Sequence, residues 1–361
     1  MTRIGFAALS LLTLLAAPIL AAPAQAAPTL PRYDHVIVIV EENKDYDEIL
    51  NPAVAPHIAG LAKAYGNAAN FWGEVHPSEA NYVALLGGDT FGLHDDDAFY
   101  CKPGLADPLC AGAGKPGYAD HTVHAPHLGD QLAAAGLTWK GYYQDLPAPG
   151  SLIANYSPGH AVTGPGDALY ASKHSGFVNF ASVQADPKRA DHIVGFETFK
   201  ADLAANALPS FALLIPNQCD EMHGVKAAWV DHDCDGSDPG ALIRRGDAEV
   251  GALVALIQSS QAWKGAGNFA IVVTFDEGDK GSKGGCCGVT PDTPSNYGGG
   301  HIPTLVITNH GPRGVSDATA YNHYSLLRTL EDVFGISQHL GHAAETDKGV
   351  VDMTPLFAVG R

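Results

Sequence analysis

The sequence lacks an apolar run long enough to cross a membrane, and it is poor in positive charge. A membrane span needs roughly 18 consecutive apolar residues, and the apolar segment 4–20 is shorter than that. Only 21 lysines and arginines stand against 39 acidic residues, which gives a formal net charge of -18. Nucleic-acid-binding proteins normally carry a basic surface. The composition therefore argues against a membrane-spanning protein and against a nucleic-acid partner.

Two common hydrolase motifs are also absent from the sequence. There is no G-x-S-x-G, which presents the serine of α/β-hydrolases, and no H-E-x-x-H, which holds zinc in many peptidases. The sequence therefore gives no support for a serine hydrolase of that type or for a zinc peptidase.

The amino-terminal residues 1–26 have the pattern of a secretory signal peptide. Arg3 precedes the apolar segment, and small residues end at Ala26. We expect cleavage near Ala26 and a secreted or periplasmic protein without a lipid anchor, because no cysteine follows the signal. The remaining residues, 27–361, are expected to form a single domain. The oligomeric state stays open.

Six cysteines in an exported chain predict disulfide bonds. The spacing pairs Cys101 with Cys110 and Cys219 with Cys234. For the adjacent pair 286–287 three alternatives stay open: a vicinal bridge, pairing with other cysteines, or two free thiols.

Apolar runs rich in valine and isoleucine recur along the chain, as is typical of parallel strands buried on both faces. These runs are 35–42, 210–217, 268–279 and 301–309. Helical patterns occupy 127–135, 241–259 and 322–334. Strands that alternate with helices predict an α/β fold with a mostly parallel central sheet flanked by helices. The region at about 93–190 is rich in glycine, proline and histidine, and we interpret it as an elaborated loop region.

Polar residues crowd one end of several predicted strands. In open α/β sheets, ligands bind beyond the carboxyl ends of the strands. The constellation predicted there is Glu41, Glu42, Asn43, Asn217, Asp276 and Glu277. Carboxylates and amides of this kind hold divalent metal ions.

Ser78 stands directly before the short helical pattern EANYVALL. Its hydroxyl is therefore expected among the free N–H groups of a first helical turn, where anions and phosphate bind well. From the local sequence alone, a plain helix cap and a phosphate-binding hydroxyl both stay open. The acidic strand ends elsewhere in the chain favour the second interpretation.

Seven segments together carry a resemblance to a known family. They are HVIVIVEENKDYDEIL, HPSEANYVALLGGDTFG, GLTWKGYYQDLP, PNQCDEMHG, VVTFDEGD, GGGHIPTLVIT and NHYSLLRTLEDVFGI. Their order resembles that in the secreted phosphoesterases of the alkaline-phosphatase superfamily, which include bacterial and fungal acid phosphatases and phospholipases C. The resemblance covers about 34–336 and implies a helix-flanked sheet, a nucleophile at a helix start and metal ligands at strand ends.

The resemblance also implies roles for individual residues. Ser78 is similar to the family's nucleophile and Asn81 to the asparagine that contacts the phosphoryl group. The implied metal ligands are Glu42, Asn43, Asp276, Glu277, His223, Asp220 and His301. Beside His223 the acid is either Asp220 or Glu221, because Gly224 stands where the family usually has an acid.

These residues predict a metal-dependent phosphoesterase that hydrolyses phosphate monoesters through a phosphoserine, as acid phosphatases do. Oxygen ligands suit Ca²⁺, Mg²⁺ or Mn²⁺, whereas His223 and His301 favour Zn²⁺ or Fe, and one ion or two stay open. The expected substrate is a small phosphate ester or a phospholipid head group. The alternatives are a phospholipase C or related phosphodiesterase, and a non-catalytic exported metal- or glycan-binding protein.

The segment DHDCDGSD suggests a separate calcium site. Asp231, Asp233 and Asp235 stand at alternate positions before Gly236, as in the first half of a calcium loop. The twelfth position is Leu242 instead of glutamate, which excludes an EF-hand. A structural calcium site and a solvated acidic loop both stay open.

Overall fold

The computed structural model describes residue 1 and residues 30–96, 120–287 and 298–359. The predicted signal peptide and the predicted pair of Cys101 with Cys110 lie outside the described residues. None of the helices in the described part of the chain is both long and apolar enough to span a membrane.

The described residues form β-strands and α-helices in alternation. The strands are β1 His35–Glu41, β2 Gly66–Ala68, β3 Phe71–Trp72, β4 Trp139–Tyr143, β5 Asn155–Tyr156, β6 Tyr170–Ala171, β7 Ile193–Gly195, β8 Phe211–Ile215, β9 Phe269–Phe275, β10 His301–Ile302, β11 Thr304–Thr308, β12 Val315–Asp317 and β13 Tyr321–Asn322. The helices are α1 Tyr46–Ile49, α2 Pro56–Ala64, α3 Glu79–Gly87, α4 Leu128–Ala134, α5 Ala181–Ala185, α6 Arg189–His192, α7 Phe196–Ala204, α8 Pro239–Ser259, α9 Gln261–Lys264, α10 His323–Phe334 and α11 Thr354–Phe357. Short 3₁₀ turns occur at Pro165–Asp167, Ser172–His174, Phe177–Asn179, Gly341–Ala344 and Thr346–Lys348.

The main sheet has eight strands in the order β12-β2-β11-β9-β1-β8-β4-β7. The five strands from β9 to β7 run parallel, and β11 runs antiparallel to both β9 and β2. The valines and isoleucines of β1 are buried, because this strand has neighbours on both sides and is covered on both faces. The predicted α/β fold with a mostly parallel sheet is therefore confirmed.

Parallel pairing places the polar strand ends at one edge of the sheet. β1 pairs with β9 up to Glu41 and Phe275, and the amide of Asp276 then donates to the carbonyl of Glu41 at 3.1 Å. The amide of Glu42 donates to the carbonyl of Glu221, which follows β8, at 2.8 Å. Residues far apart in sequence thus meet at the carboxyl ends of three neighbouring strands.

A smaller sheet of β10, β3 and β13 brings the chain before α3 to this edge. The amide of Gly73 donates to the carbonyl of Gly300 at 3.0 Å. A Cβ atom at Gly73 would lie 3.0 Å from the carbonyl oxygen of Asp276. Glycine therefore permits the close approach that places the start of α3 beside β9.

The longer helices begin and end where capping residues stand. α8 follows Asp238, whose carboxylate accepts the amide of Ala241 at 3.0 Å, and Pro239 occupies its first turn. α10 follows Asn322, which caps the amide of Ser325, and it ends at Gly335 with a φ of 69°. The helices predicted from the sequence pattern are therefore present.

Two disulfides lie within the described residues. Cys219 bonds to Cys234, as the spacing predicts, and closes the segment between β8 and α8. Cys286 bonds to Cys287, so the vicinal bridge is the alternative that the structure contains.

Candidate active site

The hydroxyl of Ser78 points away from the helix that it precedes. Ser78 is the N-cap residue of α3, but its side chain accepts no hydrogen bond from the first turn. Instead its Oγ donates to Oε2 of Glu42 at 3.0 Å and lies 3.5 Å from Oδ1 of Asn43. The serine is therefore not a plain helix cap, because its hydroxyl faces the end of β1.

Four buried carboxyl groups surround this hydroxyl and its neighbours. They belong to Glu42, Glu221, Asp276 and Glu277, and each is at most 5% exposed. Burial raises the pKa of all four, and their mutual repulsion adds to this for Glu42, Glu221 and Glu277. The pKa of Glu277 rises to about 10. So many buried acids are stable as anions only beside a cation.

His174 offers a nitrogen lone pair that could bind a cation beside these acids. Burial lowers its pKa well below the usual range, so the ring is neutral near pH 7. Nδ1 lies 2.6 Å from Oε1 of Glu221 and is therefore assigned as the N–H donor. Nε2 then presents a lone pair 3.2 Å from Oε1 of Glu42, with no hydrogen-bond partner among the described residues. Oδ2 of Asp276 is buried and likewise unpartnered.

The donor set at the strand ends fits a divalent ion. Asn43 ties the ends of β1 and β9 together, since its amide donates to Oδ1 of Asp276 at 3.0 Å and its side chain contacts Oε2 of Glu42 at 2.8 Å. Glu42, His174 and His223 also offer ligand atoms within 4.8 Å of one another. Carboxylates, an amide oxygen and imidazoles are all established ligand types for divalent cations.

Lys173 places a positive charge beside these acids. Its Nζ lies 2.9 Å from Oδ2 of Asp96 and 3.4 Å from Nε2 of His223. Burial alone would lower the pKa of Lys173, but the charges of Asp96 and Glu42 outweigh burial and raise it. The ammonium is therefore a fixed cation. Burial lowers the pKa of His223 to about 4, with the charge of Lys173 as the second cause.

A cavity of about 520 Å³ opens onto this group of residues. It is lined by Asn43, His76, Pro77, Ser78, Asp96, His223, Glu277 and Lys280. Ser78 thus forms part of the wall of the cavity, although the residue itself is only 1% exposed.

Asn81 and Asp220 have their main partners outside the group of acids. Oδ1 of Asn81 accepts the amides of Glu74 and Val75 at 3.0 and 3.2 Å, so this side chain holds the segment before Ser78, and its Nδ2 lies 3.5 Å from Oε2 of Glu277. Asp220 pairs with Arg245 at 2.7 Å, and the acid that reaches the cluster is Glu221.

His301 lies outside the cluster as well. Its Nε2 bonds to the carbonyl of Ala69 at 3.1 Å, and its ring stacks on Tyr46 at 4.4 Å. Among the described residues, the side chains of two further members of the predicted constellation form no hydrogen bond with the cluster. The buried carboxyl of Glu41 has no hydrogen-bond partner there, and the side chain of Asn217 bonds to Asp145 at 2.8 Å.

The acidic segment 231–238 does not bring its carboxylates together. Asp233 pairs with Arg245 at 3.2 Å, and Asp235 accepts the amide of Ser237 at 2.7 Å. In the described part of the chain, Asp231, Asp233 and Asp235 do not form a group with ligand atoms within 4.8 Å of one another.

The residues of this cluster that sequence reasoning missed are Lys173, His174 and Asp96. All three come from the region rich in histidine and glycine, where no period or motif marks them. Adjacent Lys173 and His174 end a 3₁₀ turn packed against α3, and only this packing brings them to the strand ends.

Comparisons with known proteins identify the family to which the chain belongs. The sequence model of the Phosphoesterase family matches residues 49–337. A phosphatidylinositol-3-phosphatase of Mycobacterium tuberculosis is 30% identical over 343 residues, which cover 93% of this chain and 90% of that protein. A phosphate-repressible acid phosphatase of Penicillium chrysogenum is 27% identical over 84% of this chain, which spans 60% of that relative's length.

Solved structures resemble the fold at low sequence identity. The lipoteichoic acid synthase LtaP of Listeria monocytogenes matches 91% of this chain and 76% of its own, with a TM-score of 0.53 and 10% identity. A protein of the alkaline phosphatase superfamily from Vibrio parahaemolyticus matches 86% of this chain and 69% of its own, with a TM-score of 0.50 and 13% identity. The chain therefore belongs to the Phosphoesterase family, with an alkaline-phosphatase-like fold, and is a hydrolase of phosphoric esters.

Proposed function

We propose that this protein is an exported, metal-dependent phosphatase that hydrolyses phosphate monoesters through Ser78. The observation that carries the proposal is the orientation of the Ser78 hydroxyl, which donates to Glu42 at 3.0 Å instead of capping α3. A hydroxyl used only for helix capping would face the free amides of the first turn. The acid-phosphatase name of the Penicillium chrysogenum relative supports the same reaction.

Glu42, Asn43, Asp276 and Glu277 would hold the ion next to Ser78. When bound there, a divalent cation lowers the pKa of a coordinated hydroxyl and attracts an anionic ester. That attraction matters in this protein because its net charge of -18 repels phosphate at long range. Aryl and alkyl phosphates would enter through the cavity that Ser78 lines.

The protein's own side chains supply the remaining steps. Glu42 accepts the hydrogen bond of the Ser78 hydroxyl, and the serine oxygen attacks phosphorus in line with the leaving oxygen. The bond from phosphorus to the leaving oxygen breaks, the phosphoryl group is transferred to Ser78, and the proton given up by the serine hydroxyl passes to the leaving oxygen, which departs as the alcohol. Water then attacks the phosphoserine, which releases phosphate and restores the hydroxyl. Asn81 holds the loop that presents Ser78, through its bonds to the backbone of Glu74 and Val75.

Export is part of the proposal. The signal-like residues 1–26 support it, and so do the bonds Cys219–Cys234 and Cys286–Cys287, since stable disulfides are typical of exported proteins.

A phosphorylated lipid head group is the second substrate candidate. The Mycobacterium tuberculosis relative is named for the 3-phosphate of phosphatidylinositol and aligns over 93% of this chain. That phosphate is a monoester on a ring hydroxyl, so the chemistry at Ser78 would be unchanged. Phospholipase C activity would require cleavage of the diester instead.

The proposal is tested by phosphate release from the purified, metal-loaded protein. The substrates are an aryl phosphate monoester, a lipid head-group monoester and a matched diester. Ser78→Ala should lower kcat on the monoesters by about 10³-fold or more, because the group that forms the covalent bond is lost. Rapid acid quench should show labelled phosphoprotein for the wild type and none for Ser78→Ala.

Ser260→Ala is the matched control. Ser260 does cap a helix, since its Oγ accepts the amide of Trp263 at 3.1 Å. This variant should lose about 1 kcal/mol of stability and keep its activity. Turnover that survives in Ser78→Ala would contradict the proposed nucleophile. Turnover of the diester alone would replace the phosphatase assignment with a phosphodiesterase.

A further inference from the structure

The two disulfides in the described part of the chain differ in what they enclose. Cys219–Cys234 joins residues 15 positions apart, whereas Cys286–Cys287 joins neighbours. A disulfide restricts the unfolded chain more when it closes a longer loop, so a bridge between neighbouring residues does little to hold the whole fold together. The role of Cys286–Cys287 therefore lies in its local contacts.

The two bridges also differ in their exposure to solvent. Cys219 and Cys234 are 2% and 0% exposed, whereas Cys286 and Cys287 are half-buried. Thiol–disulfide exchange begins with the attack of a thiolate on a sulfur atom, and burial shields a sulfur from that attack. A reductant in solution should therefore open Cys286–Cys287 and leave Cys219–Cys234 closed.

One side chain holds the backbone of the vicinal bridge. Nδ2 of Asn322 donates to the carbonyl oxygens of Cys286 and Cys287 at 3.1 and 2.8 Å. Cys287 has a φ of 58°, a conformation that residues other than glycine seldom adopt unless their surroundings impose it. The bond between the two sulfurs restricts both residues to this turn. Once that bond opens, Cys287 is able to return to a negative φ, which separates the two carbonyls that Asn322 binds.

Asn322 connects this turn to helix α10. Its Oδ1 caps α10 by accepting an amide of the first turn at 3.1 Å, while its Nδ2 holds the vicinal bridge. Cys287 itself packs against a small apolar cluster formed by Ala84 of α3, Tyr324 of α10 and Val350. A change in the turn at 286–287 therefore acts directly on the start of α10.

The start of α10 is in turn bonded to both sides of the candidate active site. The amide of His323 donates to Oε1 of Glu74 at 2.9 Å, and Nε2 of His323 donates to the carbonyl oxygen of Phe275 at 2.9 Å. Glu74 lies four residues before Ser78, and Phe275 directly precedes Asp276. A continuous set of contacts thus joins the vicinal bridge to the segment that presents the serine and to the end of β9.

We propose that Cys286–Cys287 is a reversible redox site, at which reduction by a dithiol lowers turnover at Ser78. The effect on turnover rests on the proposed phosphatase function, whereas the selective reduction does not. One thiolate of the dithiol attacks a sulfur of the bridge, the S–S bond breaks, and the other cysteine leaves as a thiolate that takes up a proton. The second thiolate of the dithiol then attacks its own sulfur in the mixed disulfide. This frees the first cysteine, which also takes up a proton, and the reductant departs as a cyclic disulfide, so that two electrons and two protons pass to the protein.

Both cysteines have hydrogen-bond acceptors once they are reduced. Their sulfur atoms lie 3.3 Å from the carbonyl oxygens of Tyr321 and Ala320, to which thiols donate. Because the two thiols belong to neighbouring residues, they remain close together, and an oxidant closes the bridge again. The reduction is therefore reversible.

The first test is the order in which the bridges open. The full chain is treated with increasing concentrations of dithiothreitol, new thiols are alkylated, and peptide mapping by mass spectrometry assigns the label to each cysteine. We expect label at Cys286 and Cys287 at concentrations that leave Cys219 and Cys234 unlabelled. Label that appears at the buried pair first, or at both pairs together, would overturn the inference.

The second test compares the oxidised and the selectively reduced wild type. Dithiothreitol is removed and metal is restored before the assay, because dithiols bind metal ions. Reduction should lower kcat on an aryl phosphate by about tenfold, since it shifts the segments that position the reacting groups without removing any of them. Amides in the first turn of α10 should also exchange faster with D₂O. Re-oxidation should restore both properties, and an unchanged kcat in the selectively reduced protein would overturn the inference.

Two variants separate the bridge from its effect on α10. Asn322→Asp keeps a cap for α10 but has no N–H group to donate to the vicinal turn, so its kcat should be low when oxidised and should not fall further on reduction. The double variant Cys286→Ala with Cys287→Ala should behave in the same way. A tenfold fall of kcat on reduction of this double variant would assign the effect to other cysteines and overturn the inference.

The two proposals fail separately. If the oxidised wild type releases no phosphate, the proposed function is wrong, and the labelling order together with amide exchange in α10 still decides whether the bridge is a redox site that acts on this helix. If the double cysteine variant does not fold, the wild type decides the question, because it is reduced and re-oxidised without any substitution.

Discussion

At the scale of single residues, burial decides which side chains of this protein carry charge. His127 is buried and His223 is half-buried, and desolvation lowers the pKa of each ring to about 4. Each neutral ring then uses a lone pair: that of His223 faces Lys173, and Nδ1 of His127 accepts the amide of Gly129 at 3.0 Å. His127 thereby caps α4, away from the strand ends. Neutral histidine serves here as an acceptor.

The cap at His127 predicts a loss of stability in acid. The unfolded ring has a pKa near 6.5 and the folded ring near 4, so the unfolded state binds more protons between these values. Stability should therefore fall as the pH drops from 6.5 towards 4, by about 2 kcal/mol at pH 5. Urea unfolding at pH 7 and pH 5 measures this loss. His127→Asn keeps a capping acceptor that does not titrate, and should lose about 2 kcal/mol less than the wild type.

His124→Asn is the control for this measurement. His124 is exposed and stands three residues before His127. Its replacement should leave the difference between pH 7 and pH 5 as in the wild type. The same pH dependence in His127→Asn and in the wild type would show that the buried cap does not titrate as described.

At the scale of elements, one helix supplies the N-terminal cap of another. α2 follows Ala55, which has no side-chain acceptor for the first amides of the helix. Asp247 of α8 supplies it, since its carboxylate accepts the amides of His57 and Ile58 at 3.1 and 2.8 Å. Asp247 is 1% exposed, so these bonds form at a buried helix N-terminus, where the positive end of the helix dipole favours a carboxylate.

Asp247→Asn should therefore destabilise the protein without affecting catalysis. The asparagine keeps the shape but offers one acceptor oxygen and no charge, so we expect a loss of about 2 kcal/mol in the free energy of unfolding. Denaturant unfolding measures it, with kcat on an aryl phosphate as the second readout. Asp238→Asn is the matched control, because asparagine caps an exposed helix start almost as well as aspartate. Equal losses in the two variants would contradict a special role for the buried cap.

At the scale of the whole molecule, the protein carries an excess of negative charge, and the buried acids beside Ser78 need a cation to balance them. The formal net charge is -18, and four buried carboxyl groups meet beside Ser78. Lys173 neutralises only part of this charge. A bound divalent ion should therefore stabilise the folded chain, because the unfolded chain does not hold these acids together.

Removal of the ion should lower the unfolding temperature. An ion present at 100 times its Kd stabilises the native state by about 2.7 kcal/mol, and a chelator should reverse this. Thermal unfolding with metal and with chelator measures the difference. Asp276→Ala should abolish both the difference and the activity, whereas Asp220→Asn should keep the difference, since Asp220 pairs with Arg245. Loss of the metal effect in Asp220→Asn would show that Asp220 is a metal ligand.

Local sequence was sufficient for several of the longer strands and helices and for part of the candidate site. The run at 35–42 predicts a buried strand because a parallel strand covered on both faces carries apolar side chains at consecutive positions. Glu42 and Asp276 follow two such strands, and the rule for parallel sheets predicts that they meet. Ser78 stands before a helix, and capping rules mark that position. The order of seven segments indicated the family, which the comparisons show.

Tertiary structure decided what no local rule can specify. Packing turns Glu221 into the cluster and leaves Asp220 with Arg245, although the two acids are adjacent in sequence. Packing also directs the Ser78 hydroxyl to Glu42 and brings Lys173 and Asp96 together as an ion pair. Sequence patterns report the periodicity of neighbouring residues, whereas these contacts join residues 25 to 77 positions apart. They exist only once the sheet and helices have packed.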